Sequence, residues 1–437
     1  MARKLIEKDF KFVTEEYSDK HELPSLLKDF RAKSREIYHS TAFPTMKDEA
    51  WRRTALRDLP FDILDLANGQ TALKDNRDGR IISDKLLKNK SWLRLTSADL
   101  QIQISDQLLE TGILISDLET AAEEFPQLLE KILGKVVPPE EGKFAAAAAA
   151  FASQGVFIYV PENLQVEEDI YLIAEGPGAN TAHFSQVLVY LDRGSSLTLV
   201  SEFHSASDHK QQSLTAENLE VIVGENAHLT MLELQTYNED SWSFGHKKAV
   251  VERDGSLDWV LGALGGGLTK HFVTVDLNGK GAEGRISGMF FANDQQHISY
   301  NTLQRHLAPR TNSDLLFKGG LTGSSRSVWR GMIYVAPGAQ YIDGYQANRN
   351  LILSEAARSD SIPGLEILNN DVRCTHGSTV GKLDQEQLFY LRSRGIPRAE
   401  AEKIIIQGFF DDILSRVDFP EIQERLWSAV EGKLSAA

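Results

Sequence analysis

The chain has 437 residues, 42% of them hydrophobic, and a formal net charge of −15, which suggests two or three domains with sizeable cores. The acidic balance argues against a general nucleic-acid binder, which needs a basic footprint; solubility alone accounts for it. One cysteine excludes a disulfide framework and fits a reducing compartment. The start of the chain has no apolar run of signal-peptide length. No stretch approaches the ~18 apolar residues of a membrane span, so the expectation is a soluble protein of the cytoplasm or an organelle matrix.

Residues 1–150 read as a mostly helical region. Leu23-Pro24-Ser25-Leu26-Leu27 is a helix start, with Pro in the first turn and Leu26, Leu27 and Phe30 at helical spacing. Ser116 to Leu133 is a second helical candidate, interrupted by Pro126. Pro138-Pro139-Glu140-Glu141-Gly142 marks a turn.

From residue 151 to 382 the texture is that of short alternating strands. Val187, Val189 and Leu191 alternate before the turn Asp192-Arg193-Gly194, and Leu197 and Leu199 follow it. The unit recurs around Gly224, Gly255 and Gly281, so the turn glycines lie 26 to 31 residues apart. A strand–turn–strand period of this length points to a solenoid whose coils bury their apolar faces on each other. The expected fold is mainly β, a right-handed parallel β-helix-like solenoid flanked by helical regions. A sandwich or barrel is the rival.

Residues 383–437 return to helical spacing. Asp384 and Gln387 resemble a capping box ahead of Leu388, Phe389 and Leu391. Arg398 to Arg416 carries Ile404, Ile405, Phe409 and Ile413 as an apolar stripe. A third helix carries Ile422, Leu426, Val430 and Leu434, with Pro420 in its first turn.

The chemistry-bearing candidate is the segment Asp371-Val372-Arg373-Cys374-Thr375-His376-Gly377. On a strand, Cys374 and His376 share one face, roughly 6.5 Å apart at Cα. A thiolate and an imidazole there suit a soft or borderline metal or an iron–sulfur species. Such a cluster takes about four ligands, so a second chain must complete the set. Against this stands the ordinary reading, a small buried thiol beside an unrelated histidine. No phosphate-binding loop, G-x-S-x-G, H-E-x-x-H or C-x-x-C motif occurs, so the chain alone is expected to hydrolyse no nucleotide. His204, Asp208 and His209 form a weaker polar cluster, read as a solvated turn. Asp258, Asp276, Asp314 and Asp343 are too scattered for a carbohydrate-active β-helix enzyme.

Ser327-Val328-Trp329-Arg330-Gly331-Met332-Ile333, Tyr345-Gln346-Ala347-Asn348-Arg349-Asn350, the segment around Cys374, and Leu388-Phe389-Tyr390-Leu391-Arg392-Ser393-Arg394-Gly395 resemble the SufB/SufD family of iron–sulfur cluster assembly proteins. Phe43-Pro44-Thr45-Met46-Lys47-Asp48-Glu49-Ala50-Trp51-Arg52 and the Cys-x-His-Gly arrangement are similar to the SufD branch, with Arg373 where its motif has lysine. The resemblance implies a scaffold subunit, not an enzyme, that pairs with SufB and docks the ATPase SufC. It implies a transient iron–sulfur cluster shared with the partner, with Cys374 and His376 as ligands. SufC docking falls on the C-terminal helices, at Phe389, Ile404, Phe409, Phe410 and Ile413, with Phe410 as the exposed anchor. A purely structural subunit is the alternative. Whether a flavin binds, and whether homodimers form without SufB, stays open.

Overall fold

The computed structural model describes residues 9–14, 22–59, 61, 64–67, 80–176, 178–205 and 211–436. From Gln154 to Gly381 the chain alternates between two sheets, each strand pairing in parallel with the strand two positions along. The result is a β-solenoid of about 8 turns. Thr181–Leu191 lies on one sheet and Ser196–Ser205 on the other, joined by the turn expected at Gly194.

The interior is built from the alternation read in the sequence. Val187, Val189, Leu191, Leu197 and Leu199 are buried between the sheets, as are Leu219, Val221, Val223, Leu229 and Met231 one coil on. Larger side chains, Trp259, Tyr300, Phe317 and Trp329, fill it further along. The recurring turn glycines serve two purposes. Gly194 has φ of 67°, which Gly adopts without steric cost. Gly224 does not; a Cβ there would lie 2.7 Å from the Leu191 carbonyl oxygen, so packing of one turn on the next excludes a side chain. The left-handed position in that turn is taken by Asn226, at φ 54°.

Both outer faces are covered. Helix Lys143–Phe151 packs its alanines and two phenylalanines on Phe184, Leu214, Ala216 and Phe244 of the first sheet. Its neighbour is helix Ser25–Ser40, begun at the expected place after Pro24. Trp51 of the Phe43–Arg52 signature lies against Phe144, Phe244 and Phe272, and the Ala50 carbonyl accepts from Lys270 Nζ at 2.7 Å. Helices Arg398–Leu414 and Pro420–Ala436 cover the second sheet through Ile406, Phe410, Ile413, Leu414, Ile422, Leu426 and Val430.

The region before residue 150 is more mixed than its helical spacing suggests. Ser91–Leu95 pairs in parallel with Ile170–Gly176 and antiparallel with Leu100–Gln103. Leu114–Asp117, at the start of the second helical candidate, is a strand antiparallel to Gln154–Val160. Asp117 then caps helix Leu118–Glu124. No described helix is long and apolar enough to cross a membrane.

Candidate functional site

The solenoid ends in an open coil. Among the described residues, Arg358–Ile367 pairs only with Arg326–Val335, and Val372–Gly381 only with Ile342–Ile352. Each therefore presents a free hydrogen-bonding edge. Leu365, Ile367, Leu368 and Val380 are exposed on this coil, Leu368 to 50%. Edges with exposed apolar side chains template strand pairing unless something covers them.

Cys374 and His376 lie on this coil as the spacing predicts. In register they sit beside Gly344 and Gln346, both buried, so the pair occupies the row that continues the solenoid interior. Cys374 is half-buried and packs on the small cluster of Ile333, Val335, Ala339 and Ile342. Gly344 lies beneath it in a tight space: a Cβ there would lie 3.3 Å from Cys374 Sγ and 3.2 Å from His306 Nε2. His306 is buried, with Nδ1 2.7 Å from Thr311 Oγ1 and Nε2 2.9 Å from Ser313 Oγ. The Thr311 hydroxyl donates to the Ala308 carbonyl, so Thr311 accepts from Nδ1–H, and Nε2 carries the lone pair. His376 is exposed.

Burial pushes the Cys374 thiol up, the Asp343 carboxylate pushes it further, and the Gly344 backbone N–H opposes both. Arg373 supplies no relief. Its guanidinium is on the outward row, 3.8 Å from Asp343. Among the described residues no third Asp, Glu, His or Cys converges with Cys374 and His376.

The C-terminal helices divide the apolar residues of the predicted docking set. Asp384 caps helix Gln385–Ser393 by accepting from the Glu386 and Gln387 N–H groups. Phe389 on this helix is 74% exposed and Ile404 on the next is 42% exposed. Between the two helices and Leu351 runs a groove of about 750 Å³, lined by Tyr390, Leu391, Ile404, Ile405 and Phe409 among others. Phe410 and Ile413 are not part of this surface. Both are fully buried against the second sheet, and Phe410 is not an exposed anchor. Helix Arg398–Leu414 has apolar residues on two sides; sheet residues Leu232, Met289, Phe291 and Leu316 take the side with Ile406, Phe410 and Ile413.

Of the weaker candidates, His204 is buried, with Nδ1 2.9 Å from the Ser205 carbonyl oxygen; Asp208 and His209 lie outside the described residues. Asp258, Asp276 and Asp314 pair with Arg285, Arg305 and Arg416, and Asp343 with Arg373.

Comparison with known proteins fits this architecture. The family model described as the SufBD core domain of the SUF iron–sulfur cluster assembly system matches residues 173–409, and that of the SufBD N-terminal region matches residues 10–172. The chain belongs to the SufBD family. It is 29% identical over 429 residues to the iron–sulfur cluster assembly protein SufD of Bacillus subtilis, covering 96% of each chain. It is 33% identical over 299 residues to a SufBD family protein of Mycobacterium bovis, covering 66% of this chain and 74% of that one. A SufBD family protein of Staphylococcus aureus is 32% identical over 305 residues, 70% of this chain and 65% of its own. The chain is thus an iron–sulfur cluster assembly protein of this family, with the family's core domain placed on the solenoid.

Proposed function

We propose that this SufBD family member acts as a SufD-type scaffold subunit. Its open terminal coil pairs with the corresponding coil of a SufB-type chain. Cys374 and His376 lie at the junction and hold iron or a nascent iron–sulfur cluster together with ligands from that partner. The observation that carries this reading is the coincidence of three features on one coil: two unpaired strand edges, exposed apolar side chains, and a thiol–imidazole pair two ligands short of a cluster site. A partner strand along either edge satisfies the free backbone groups and brings further side chains to the same row. The chain serves as scaffold, and nucleotide hydrolysis belongs to a SufC-type ATPase docked in the groove beside Phe389 and Ile404.

The test is anaerobic cluster reconstitution on the co-purified three-protein complex, with iron and acid-labile sulfide as readouts. Cys374→Ala and His376→Ala should each lower both while leaving the complex assembled. Full loading in the double variant refutes the ligand role.

A second reading, in which this chain is purely structural and the partner supplies every ligand, is favoured by one observation. The thiol is held protonated and rests on apolar neighbours. The same double variant separates the two.

A further inference from the structure

The solenoid core is not wholly apolar. Glu217, Glu233, Lys247 and His271 are all buried within it, several coils from the open end. Each of Glu217 and His271 continues the inward parity of its strand by one step, ahead of Leu219 and Val221 in one case and Val273 and Val275 in the other. Gly245 lies in register between them. A Cβ on Gly245 would meet the Lys247 side chain at 2.8 Å and the His271 ring at 2.9 Å. That gap lets the Lys247 ammonium reach both Glu217 on its own sheet and Glu233 on the facing one. His271 is held through Nε2 by Ser243 Oγ at 2.8 Å.

The arrangement is incomplete in two ways. Glu217 Oε2, Glu233 Oε2 and His271 Nδ1 are buried without a hydrogen-bond partner, although such groups are normally paired. Two carboxylates also face one ammonium in a dry core. Burial of that kind is costly, and apolar side chains of similar volume often serve stability as well or better. The Phe203 ring lies under the ammonium at 4.9 Å, with Tyr237 and Tyr300 nearby, and His246 and Lys270 are the further basic groups that act on His271.

One ligand atom from each of Glu217, Glu233 and His271 lies within 4.8 Å of the others, the group of this kind found among the described residues. Two oxygens and an imidazole nitrogen suit a borderline divalent ion of the first transition row. We propose that this cluster is an interior metal site, and that the Lys247 ammonium is the cation that holds it open in the metal-free chain. A divalent ion enters between Glu217, Glu233 and His271. The divalent ion then takes over from the Lys247 ammonium as the counter-charge of the two carboxylates. The site is separate from Cys374 and His376, and its failure leaves the reading of the terminal coil untouched.

The experiment uses the full chain carrying Cys374→Ser and His376→Ala, so that the terminal coil supplies no ligand. Equilibrium dialysis against Zn²⁺, Co²⁺ and anaerobic Fe²⁺ should retain one ion per chain. The Co²⁺ form should show visible d–d bands without a thiolate charge-transfer band. Glu233→Gln should weaken retention at least tenfold. Lys247→Met provides a readout that does not depend on that variant folding well. It removes the resident cation and leaves two carboxylates facing each other. Its melting temperature should fall, and Zn²⁺ should raise it by more than it raises the parent's. If the parent retains none of the three ions, or if Zn²⁺ gives Lys247→Met no larger rise than the parent, the cluster is a structural ion group and the proposal is overturned.

Discussion

Phe410 and Phe389 sit on consecutive helices and play opposite parts, which makes them a sharp test of the C-terminal packing. Phe410 is fully buried. Its ring centre is 6.5 Å from that of Phe291 on the second sheet and 5.0 Å from that of Phe409. Its edge lies 3.4 Å from where a Cβ on Gly320 would be, so it packs closely on the sheet backbone. Truncation to alanine removes apolar contact and leaves a cavity, at about 3–5 kcal/mol. Urea denaturation should register this through Trp427, which packs on the same cluster. Hydrogen exchange should show whether the loss opens the helices locally or the whole chain. Phe389→Ala, by contrast, removes a side chain that is 74% exposed and should change stability by no more than about 0.5 kcal/mol. If Phe389 anchors the ATPase, its loss costs about 2 kcal/mol of binding, or roughly 30-fold in Kd. A Phe410→Ala chain as stable as the parent, or a Phe389→Ala chain that unfolds, refutes the division of these helices into a packed and a docking side.

Three further outcomes are expected. Gly288→Ala drives a methyl into the Phe317 ring inside the solenoid and should lower stability by about 1–3 kcal/mol, read as a fall in Tm; an unchanged Tm means that the interior there is looser than described. The Cys374 thiol is shifted upward, so its thiolate appears only as pH rises through that raised value. Iodoacetamide alkylation of the isolated chain, followed by mass, should be slower at pH 8 than for a free cysteine and should still climb above about pH 9, past the ordinary thiol value of about 8.5; a plateau below pH 8 contradicts the assignment. Gly344→Ala crowds both Cys374 Sγ and His306 Nε2 and should displace the thiol outward, raising its alkylation rate while the far-ultraviolet circular dichroism stays unchanged.

The solenoid was legible because a two-residue apolar period and a recurring turn survive without any alignment. Val187, Val189 and Leu191 identify their own inward face, and each later coil repeats the statement. The same parity also contains the interior charges, since Glu217, Glu233 and His271 fall on inward positions of their strands. An apolar pattern search stops at the last hydrophobic residue and passes over them. Cys374 and His376 were placed correctly on one row because strand geometry alone fixes that relation. Helix Arg398–Leu414 was not assigned to the right side, and the reason is physical. Ile404, Ile405, Ile406, Phe409, Phe410 and Ile413 encircle much of the helix, so local sequence offers two apolar faces. Which one is buried depends on the shape of a sheet built by distant strands earlier in the chain. The strands before residue 150 were missed because Ser91–Leu95 and Leu114–Asp117 are 5 and 4 residues long, too short to display a period.

The two ends of the coil stack differ in direction as well as in cover. At the beginning, Leu100–Gln103 and Leu114–Asp117 run against their neighbours, and each is a four-residue strand. A parallel coil arriving there meets reversed, truncated edges and cannot continue the stack. At the finish, both 10-residue strands keep the parallel direction and, among the described residues, no further strand pairs with them. Addition by strand pairing therefore has one productive terminus per molecule. Two chains joined there, as the proposed function has it, would consume both termini and leave no parallel edge for a third.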